Sequence, residues 1–476
     1  MSGLVLEQFY LQCLSQASYL VGDRSSGRAV VVDPQRDTRQ YLQAASVNGL
    51  HIERVIETHF HADFLSGHLE LAEQTGATIA YGEAAGPVSF PIERLPHGTR
   101  VSLGDVVLEI RATPGHTPES ISVVVYEHAD DSEPYAVLTG DALFIGDVGR
   151  PDLLSAPGMT AADLARLLYQ STREQLLTLP DTTRVYPAHG AGSACGRQLS
   201  TETMSTIGEQ RRTNYALADM TEDQFVEVIT EGQPAAPAYF AFDAQRNREN
   251  RPLLDEHAPP AALSLDEVLQ HQAGGAAVLD TRDAADFAHG HLRGSVEVGL
   301  GGRFAEYAGD ILRPDQPIVL VCEPGHELEA KTRLARIGFD HVVGALDDPI
   351  RAFVEHPETV EVSTRISAAD LAELLGHAAN VQLIDVRSRS EIEGNGTIAG
   401  AISLPLARVT ERRERLDPDR PTVTFCAGGY RSAIAASTLS ALGFTDVSDL
   451  LGGFEAWRNA GYEISTPDPA AAEEHA

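Results

Sequence analysis

His59, His61 and Asp63 fall within five positions of ETHFHADFLSGH, residues 57–68. Imidazole and carboxylate at that density are metal-ligand types, and two histidines at i and i+2 after a strand-like run (RVIETH) can point from one loop at the same ion. A site for two adjacent metals would be expected to continue His-Ala-Asp-His, yet here Phe64 follows Asp63. Three more ligand-type residues stand downstream, each directly after a β-like run or a Pro-Gly turn: His116 in TPGH, Asp141 in LTGD and His189 in YPAH. Any one alone reads as an ordinary structural residue. Four such signals in order, each at a strand end, predict a metal centre.

Cys426 offers a second chemistry. TVTFCAGGYRSAIAAS reads as a β run, a six-residue loop (Cys426, Ala427, Gly428, Gly429, Tyr430, Arg431) and a helix-forming stretch. Backbone N–H groups of such a loop can turn toward the sulfur. Arg431 and the helix N-terminus are expected to add positive potential, and all of these stabilise a thiolate or persulfide. Cys322 precedes a loop that reads C-E-P-G-H-E, with Glu323 and Glu327 where Ala427 and Arg431 stand. Carboxylates beside a sulfur raise its pKa and repel an anionic sulfur donor, so Cys322 is read as structural. Cys195, six residues after His189 in AHGAGSACG, is a candidate to accept sulfur or touch substrate. Cys13 and His68 read as structural.

These side chains need strands to hold them. Residues 1 to about 230 alternate β-rich runs (AVVVDP, ERVIETH, VVLEIRATPGH, ISVVVYE, YAVLTGD, RVYPAHG) with helical stretches, the pattern of an α/β domain with its site past the strand ends. Pro234, Pro237, Pro252, Pro259 and Pro260 among charged residues mark an interdomain linker, taken as 241–262 after a first domain of 1–240. An internal repeat follows. AVLDTRDAADFAHGHLRGSVEV is similar to QLIDVRSRSEIEGNGTIAGAISL; Asp280 and Asp385 are 105 residues apart, and Cys322 and Cys426 are 104 apart. Two copies of one α/β module are therefore expected, 263–358 and 363–466, before a tail at 467–476 expected to be disordered.

The 476 residues suggest about three domains. A net charge of −33 with a single lysine, Lys331, argues against nucleic acid or an anionic membrane as partner. An anionic substrate would need a pocket lined by arginine. No apolar run approaches the ~18 residues of a membrane helix, and the first residues lack a signal-peptide pattern. Four dispersed cysteines do not make a disulfide framework, so a cytoplasmic protein is expected.

H-x-H-x-D, TPGHT, the GD aspartate and P-A-H together resemble the metallo-β-lactamase fold, an αββα sandwich. Within it THFHADFLSGH, TPGHTPESIS, TGDALFIGDVGRPDL and VYPAHGAGSACG resemble the persulfide dioxygenase family. That resemblance implies one Fe(II) per chain held by His59, His116 and Asp141, with His61, Asp63 and His189 orienting ligands or substrate through hydrogen bonds. Two histidines and one carboxylate with open positions also form the facial triad of non-haem iron oxygenases. LIDVRSRSE, IAGAISLPL, the C-x-x-G-x-R loop and GGFEAWRNAGY resemble the rhodanese family, which implies sulfane sulfur on Cys426. Asp385 and Arg387 are read as braces. The expected fold is thus an αββα sandwich followed by two rhodanese-like α/β domains, the first degenerate. Expected partners are a persulfide of glutathione, coenzyme A or a similar thiol, O₂, and sulfite or thiosulfate, in a homo-oligomer. A zinc thioesterase of the glyoxalase II type and a non-catalytic sulfur carrier are the competing readings.

Overall fold

A computed structural model describes residues 3–153, 158–233, 236–377 and 380–465. The tail expected at 467–476 and Pro234 lie outside the described residues. The chain divides into two compact units, Met1–Glu256 with Ala335–Gly338, and His257–Leu334 with Phe339–Ala476.

The first unit is built on two six-stranded sheets. One holds, in chain order, Leu4–Leu11, Gln16–Asp23, Arg28–Val32, His51–Ile56, Thr78–Gly82 and Glu93–Leu95; the other orders Ser205–Thr206, Arg184–Pro187, Ala136–Gly140, Ile121–Tyr126, Val107–Ala112 and Arg100–Ser102. Alternation along the strands sorts side chains into layers. From Arg28–Val32, Val30 and Val32 join Tyr19, Ile56, Leu108, Val123 and Leu138 between the sheets, while Ala29 and Val31 face outward. There they meet Tyr41 and Ala45 of helix Arg39–Asn48. On the far side Val124, Val137 and Val185 pack with Leu168 of helix Ala161–Gln170 and Phe225 of helix Glu222–Thr230. The order is helix, sheet, sheet, helix, as expected.

The stretch read as a linker has structure of its own. Helix Phe240–Arg246 and the buried Asn247 and Arg251 are part of the first unit, and Arg251 is paired with Glu70 at 2.6 Å. Proline content registered the irregular backbone but not these buried polar anchors.

The second unit contains two five-stranded parallel sheets of identical order. Strands Ala262–Leu263, Val342–Leu346, Ile318–Val321, Ala277–Asp280 and Val296–Glu297 form one; Thr364–Ile366, Val447–Leu450, Thr422–Phe425, Gln382–Asp385 and Ile402–Ser403 form the other. The central strands are buried throughout, as parallel strands covered by helices must be. The repeat extends to hydrogen bonds. Arg282 donates to Asp280 and to the Gly290 carbonyl, and Arg387 donates to Asp385 and to the Gly396 carbonyl, at 2.5 to 2.9 Å. No helix among the described residues is long and apolar enough to cross a membrane.

Because Arg387 and Asp385 are both about fully buried, removing one strands the other's charge. Arg387→Ala is expected to cost about 3–5 kcal/mol in the last module, read as a lowered unfolding midpoint in denaturant. An unchanged midpoint would refute the bracing role.

Candidate metal centre and sulfur site

Four strands of the first unit end beside one another, and each delivers a polar residue. His51–Ile56 runs into the loop with His59, His61 and Asp63; Val107–Ala112 leads to His116, Ala136–Gly140 to Asp141, and Arg184–Pro187 to His189. Two glycines allow the approach. Gly115 has φ 145°, and a Cβ there would lie 2.4 Å from Leu168; Gly140 has φ 52°, with the Thr58 side chain 2.7 Å from where a Cβ would sit.

The proton inventory then decides which atoms face the centre. Asp33, held at φ 52°, accepts from the Thr58 amide at 2.7 Å and from the Thr58 hydroxyl at 2.8 Å. With its one proton on Asp33, the hydroxyl can only accept from His59 Nδ1 at 2.9 Å, which leaves His59 Nε2 as a bare lone pair. His116 Nδ1 lies 2.9 Å from the Arg150 carbonyl, a pure acceptor, so Nδ1 carries a proton and Nε2 is the atom turned to the centre. Asp141 gives Oδ1 to His189 at 2.8 Å and keeps Oδ2 without a hydrogen-bond partner, 3.4 Å from His116 Nε2 and 3.9 Å from His59 Nε2. Ligand atoms of the three side chains lie within 4.8 Å of one another, and all three residues are buried. Burial first, then the neighbouring His61, holds the His59 imidazole neutral. Bare donors facing one another in a closed site fit a metal ion.

His189 is engaged at both nitrogens, with Asp141 on Nδ1 and Asp63 on Nε2 at 2.7 Å. Burial lowers its pKa, but the two carboxylates together push it well above the ordinary value. Donating at both nitrogens leaves it no free lone pair in this arrangement, although its ligand atoms also lie within 4.8 Å of those of Asp63 and Cys195. His61 Nε2 sits 3.1 Å from Asp33 and 3.2 Å from Glu57, which against the cost of burial raise its pKa to about 10. The Phe64 ring lies against it, 4.3 Å between centroids, fully buried. Cys195 lies beside Asp63 and His189, and burial, then the Asp63 and Asp141 carboxylates, keep it a thiol.

Some of this was missed in the sequence. Asp33 and Glu57 carried the same strand-end signal as the ligands. Asn247 carried none, yet its amide donates to the His61 and Phe64 carbonyls at 2.8 Å and accepts from the Ser66 amide at 2.9 Å, fixing the metal loop.

In the last module Cys426 directly follows strand Thr422–Phe425, and helix Tyr430–Ala441 begins four residues on. The Gly429 amide donates to Cys426 Sγ at 3.1 Å, and Ser432 Oγ stands 3.6 Å away. Gly429 has φ 105°, and a Cβ there would lie 3.3 Å from the Gly452 nitrogen, a place for glycine. Arg431 is less available than expected: Glu391 grips its guanidinium with two hydrogen bonds of 2.8 and 2.6 Å, so the cation is shared. In the first copy the amide equivalent to that of Gly429 belongs to Gly325. It donates to the Glu327 carboxylate at 3.0 Å. Burial first, with Glu327 and Asp280 adding to it, pushes the Cys322 thiol up to about 12.

Residues 11–189 match the metallo-β-lactamase superfamily model, and residues 264–356 and 367–460 match the rhodanese-like domain model. Over 247 residues the chain is 30% identical to the mitochondrial persulfide dioxygenase ETHE1 of Bos taurus, covering 51% of this chain and 87% of that protein. Over 174 residues it is 32% identical to a hydroxyacylglutathione hydrolase of Nitrosococcus oceani, covering 36% of this chain and 61% of that protein. A crystal structure of a metallo-β-lactamase from Staphylococcus aureus subsp. aureus COL overlays with a TM-score of 0.66 at 32% identity, covering 72% of this chain and 99% of that one.

The purified protein is expected to carry about one metal ion per chain, and His59→Ala, His116→Ala or Asp141→Ala to lose it, as elemental analysis would read. Phe64→His restores an imidazole beside Asp63 and should raise zinc loading toward two ions. Loading that stays at one would mean that the His189 lock alone sets the number.

Proposed function

Because the chain belongs to the metallo-β-lactamase superfamily and carries two rhodanese-like domains behind that region, we propose that it is a persulfide dioxygenase with an attached sulfurtransferase. The observation that carries this reading is the convergence of His59, His116 and Asp141, with His59 Nε2 and Asp141 Oδ2 lacking hydrogen-bond partners, beside a His189 engaged at both nitrogens. One ion with three protein ligands keeps open positions, which O₂ chemistry requires, whereas a metal pair in a hydrolase serves to activate a bridging water. Bound there, Fe(II) would supply adjacent positions for a persulfide sulfur and for O₂. The net reaction is R–S–SH + O₂ + H₂O → R–SH + SO₃²⁻ + 2H⁺; the sulfane sulfur loses four electrons and O₂ gains them.

The chain's own residues bind and orient around that ion. Thr58 and the Arg150 carbonyl fix the tautomers of His59 and His116, and His189 fixes Asp141. Phe64 and His61 close the site against water. Asp63 keeps Oδ1 without a partner and can take the proton that the persulfide gives up. Cys195 is the thiol nearest this chemistry, placed to contact the substrate sulfur.

Sulfur transfer is assigned to the last module. Cys426 thiolate attacks the outer sulfur of R–S–SH, the S–S bond breaks, R–S⁻ leaves, and the outer sulfur stays on Cys426. Sulfite then attacks that sulfur, giving S₂O₃²⁻ and the thiolate again. The Gly429 amide supports the sulfur anion in both steps. A zinc thioesterase reading draws on the hydroxyacylglutathione hydrolase similarity, but the His189 lock opposes a metal pair.

Iron-loaded protein is expected to consume O₂ with persulfides of glutathione or coenzyme A; thioester hydrolysis without O₂ uptake would favour the alternative. Cys426→Ser should abolish sulfur transfer to sulfite or cyanide and replace thiosulfate by free sulfite, while Cys322→Ser changes transfer by no more than about threefold. Transfer lost in Cys322→Ser and kept in Cys426→Ser would reverse the assignment of the two copies.

A further inference from the structure

The first rhodanese-like module has a carboxylate-filled loop, but it also touches the working loop of the second. Tyr430, between Gly429 and Arg431, directs its hydroxyl at two carbonyls of the first module, Gly299 at 2.6 Å and Gly301 at 2.9 Å. One phenolic proton is shared between two acceptors. The carbonyls that alternate with them, Leu300 and Gly302, are both taken by the Arg333 guanidinium, which lies 2.7 Å from Gly302 O. Arg333 stands on helix Glu327–Ala335, the helix that follows the Cys322 loop. The base of the segment is fixed by the Val298 and Leu300 amides, which donate to Asp280 and Thr281 of the first module's sheet end. Tyr307 of helix Phe304–Ile311 packs edge-on against the Tyr430 ring, 5.4 Å between centroids.

From this geometry we propose that the first module is the positioning half of the sulfur site: Arg333 stiffens the 299–302 carbonyl comb, and the comb latches Tyr430. Tyr430 is flanked by the two groups that serve Cys426, the Gly429 amide on its sulfur and the Arg431 cation. A fixed tyrosine therefore fixes the direction of the amide, while Glu391 holds the cation. Tyr430 and Arg333 are positioning residues; neither needs to touch the transferred sulfur. The proposal rests on Cys426 as the sulfur carrier.

The test uses the full chain with Tyr430→Phe, which keeps the ring against Tyr307 and deletes only the latch, and with Arg333→Met, which acts from the first module. Sulfur transfer to cyanide is expected to fall on the order of 10-fold in kcat for each, because the Gly429 amide no longer points steadily at the sulfur. The second readout needs no turnover: the pH midpoint of Cys426 alkylation is expected to rise by roughly half a pH unit in both variants, since a looser Gly429 amide favours the thiolate less. If both variants alkylate Cys426 with the parent pH profile, the latch is refuted. If Arg333→Met does not fold, Tyr430→Phe decides alone. A parent chain that transfers no sulfur would count against the functional reading, while the alkylation profiles would still decide the latch.

Discussion

An imidazole has two nitrogens and a carboxylate two oxygens, and the metal centre depends on how one atom of each is tied down. Thr58, the Arg150 carbonyl and His189 each take one polar atom of His59, His116 and Asp141, and what is left over converges. The ties come from different strand ends, so the two-sheet sandwich is needed to bring them together. Desolvation makes the arrangement specific: bare donors in a buried site are costly unless something binds them. The same bookkeeping distinguishes His189, whose two nitrogens both face carboxylates, from His116, whose Nδ1 alone makes a hydrogen bond.

The sulfur site obeys a related rule, with a backbone amide as the deciding group. Cys426 receives the Gly429 N–H, while in the first copy the matching Gly325 N–H goes to the Glu327 carboxylate. Two loops of the same length, at the same place in sheets of the same strand order, thus present opposite environments to sulfur. The difference is carried by the residue five positions after each cysteine. In one loop that residue, Arg431, reaches out to Glu391; in the other, Glu327, it folds back onto its own loop.

Much of this was legible in the sequence because strands in α/β proteins announce themselves by β-branched runs, and ligand types stood at their ends. The layer order, the repeat and the gathering of His59, His116 and Asp141 follow from that pattern. Asn247 was not legible. It lies in a proline-rich stretch without periodicity, and its three hydrogen bonds go to backbone atoms 181 to 186 residues earlier, which no local pattern encodes. The Glu391 grip on Arg431 was hidden for the same reason: the sequence gives charge, whereas pairing across 40 residues is a property of the folded module. Residue type was readable where geometry is local, and lost where a partner arrives from elsewhere in the chain.

The Glu327 carboxylate on the Gly325 amide has a consequence for the traffic of reactive sulfur. The loop after a rhodanese cysteine is an anion receptor, and in the first copy the receptor carries its own anion, tethered two residues away. A tethered group competes at an effective concentration that a dissolved metabolite does not reach. On the proposed assignment of Cys426 as sulfur carrier, this leaves the first copy's loop amide occupied before any sulfur anion arrives. On that assignment the two cysteines at equivalent places would not compete for the same persulfide.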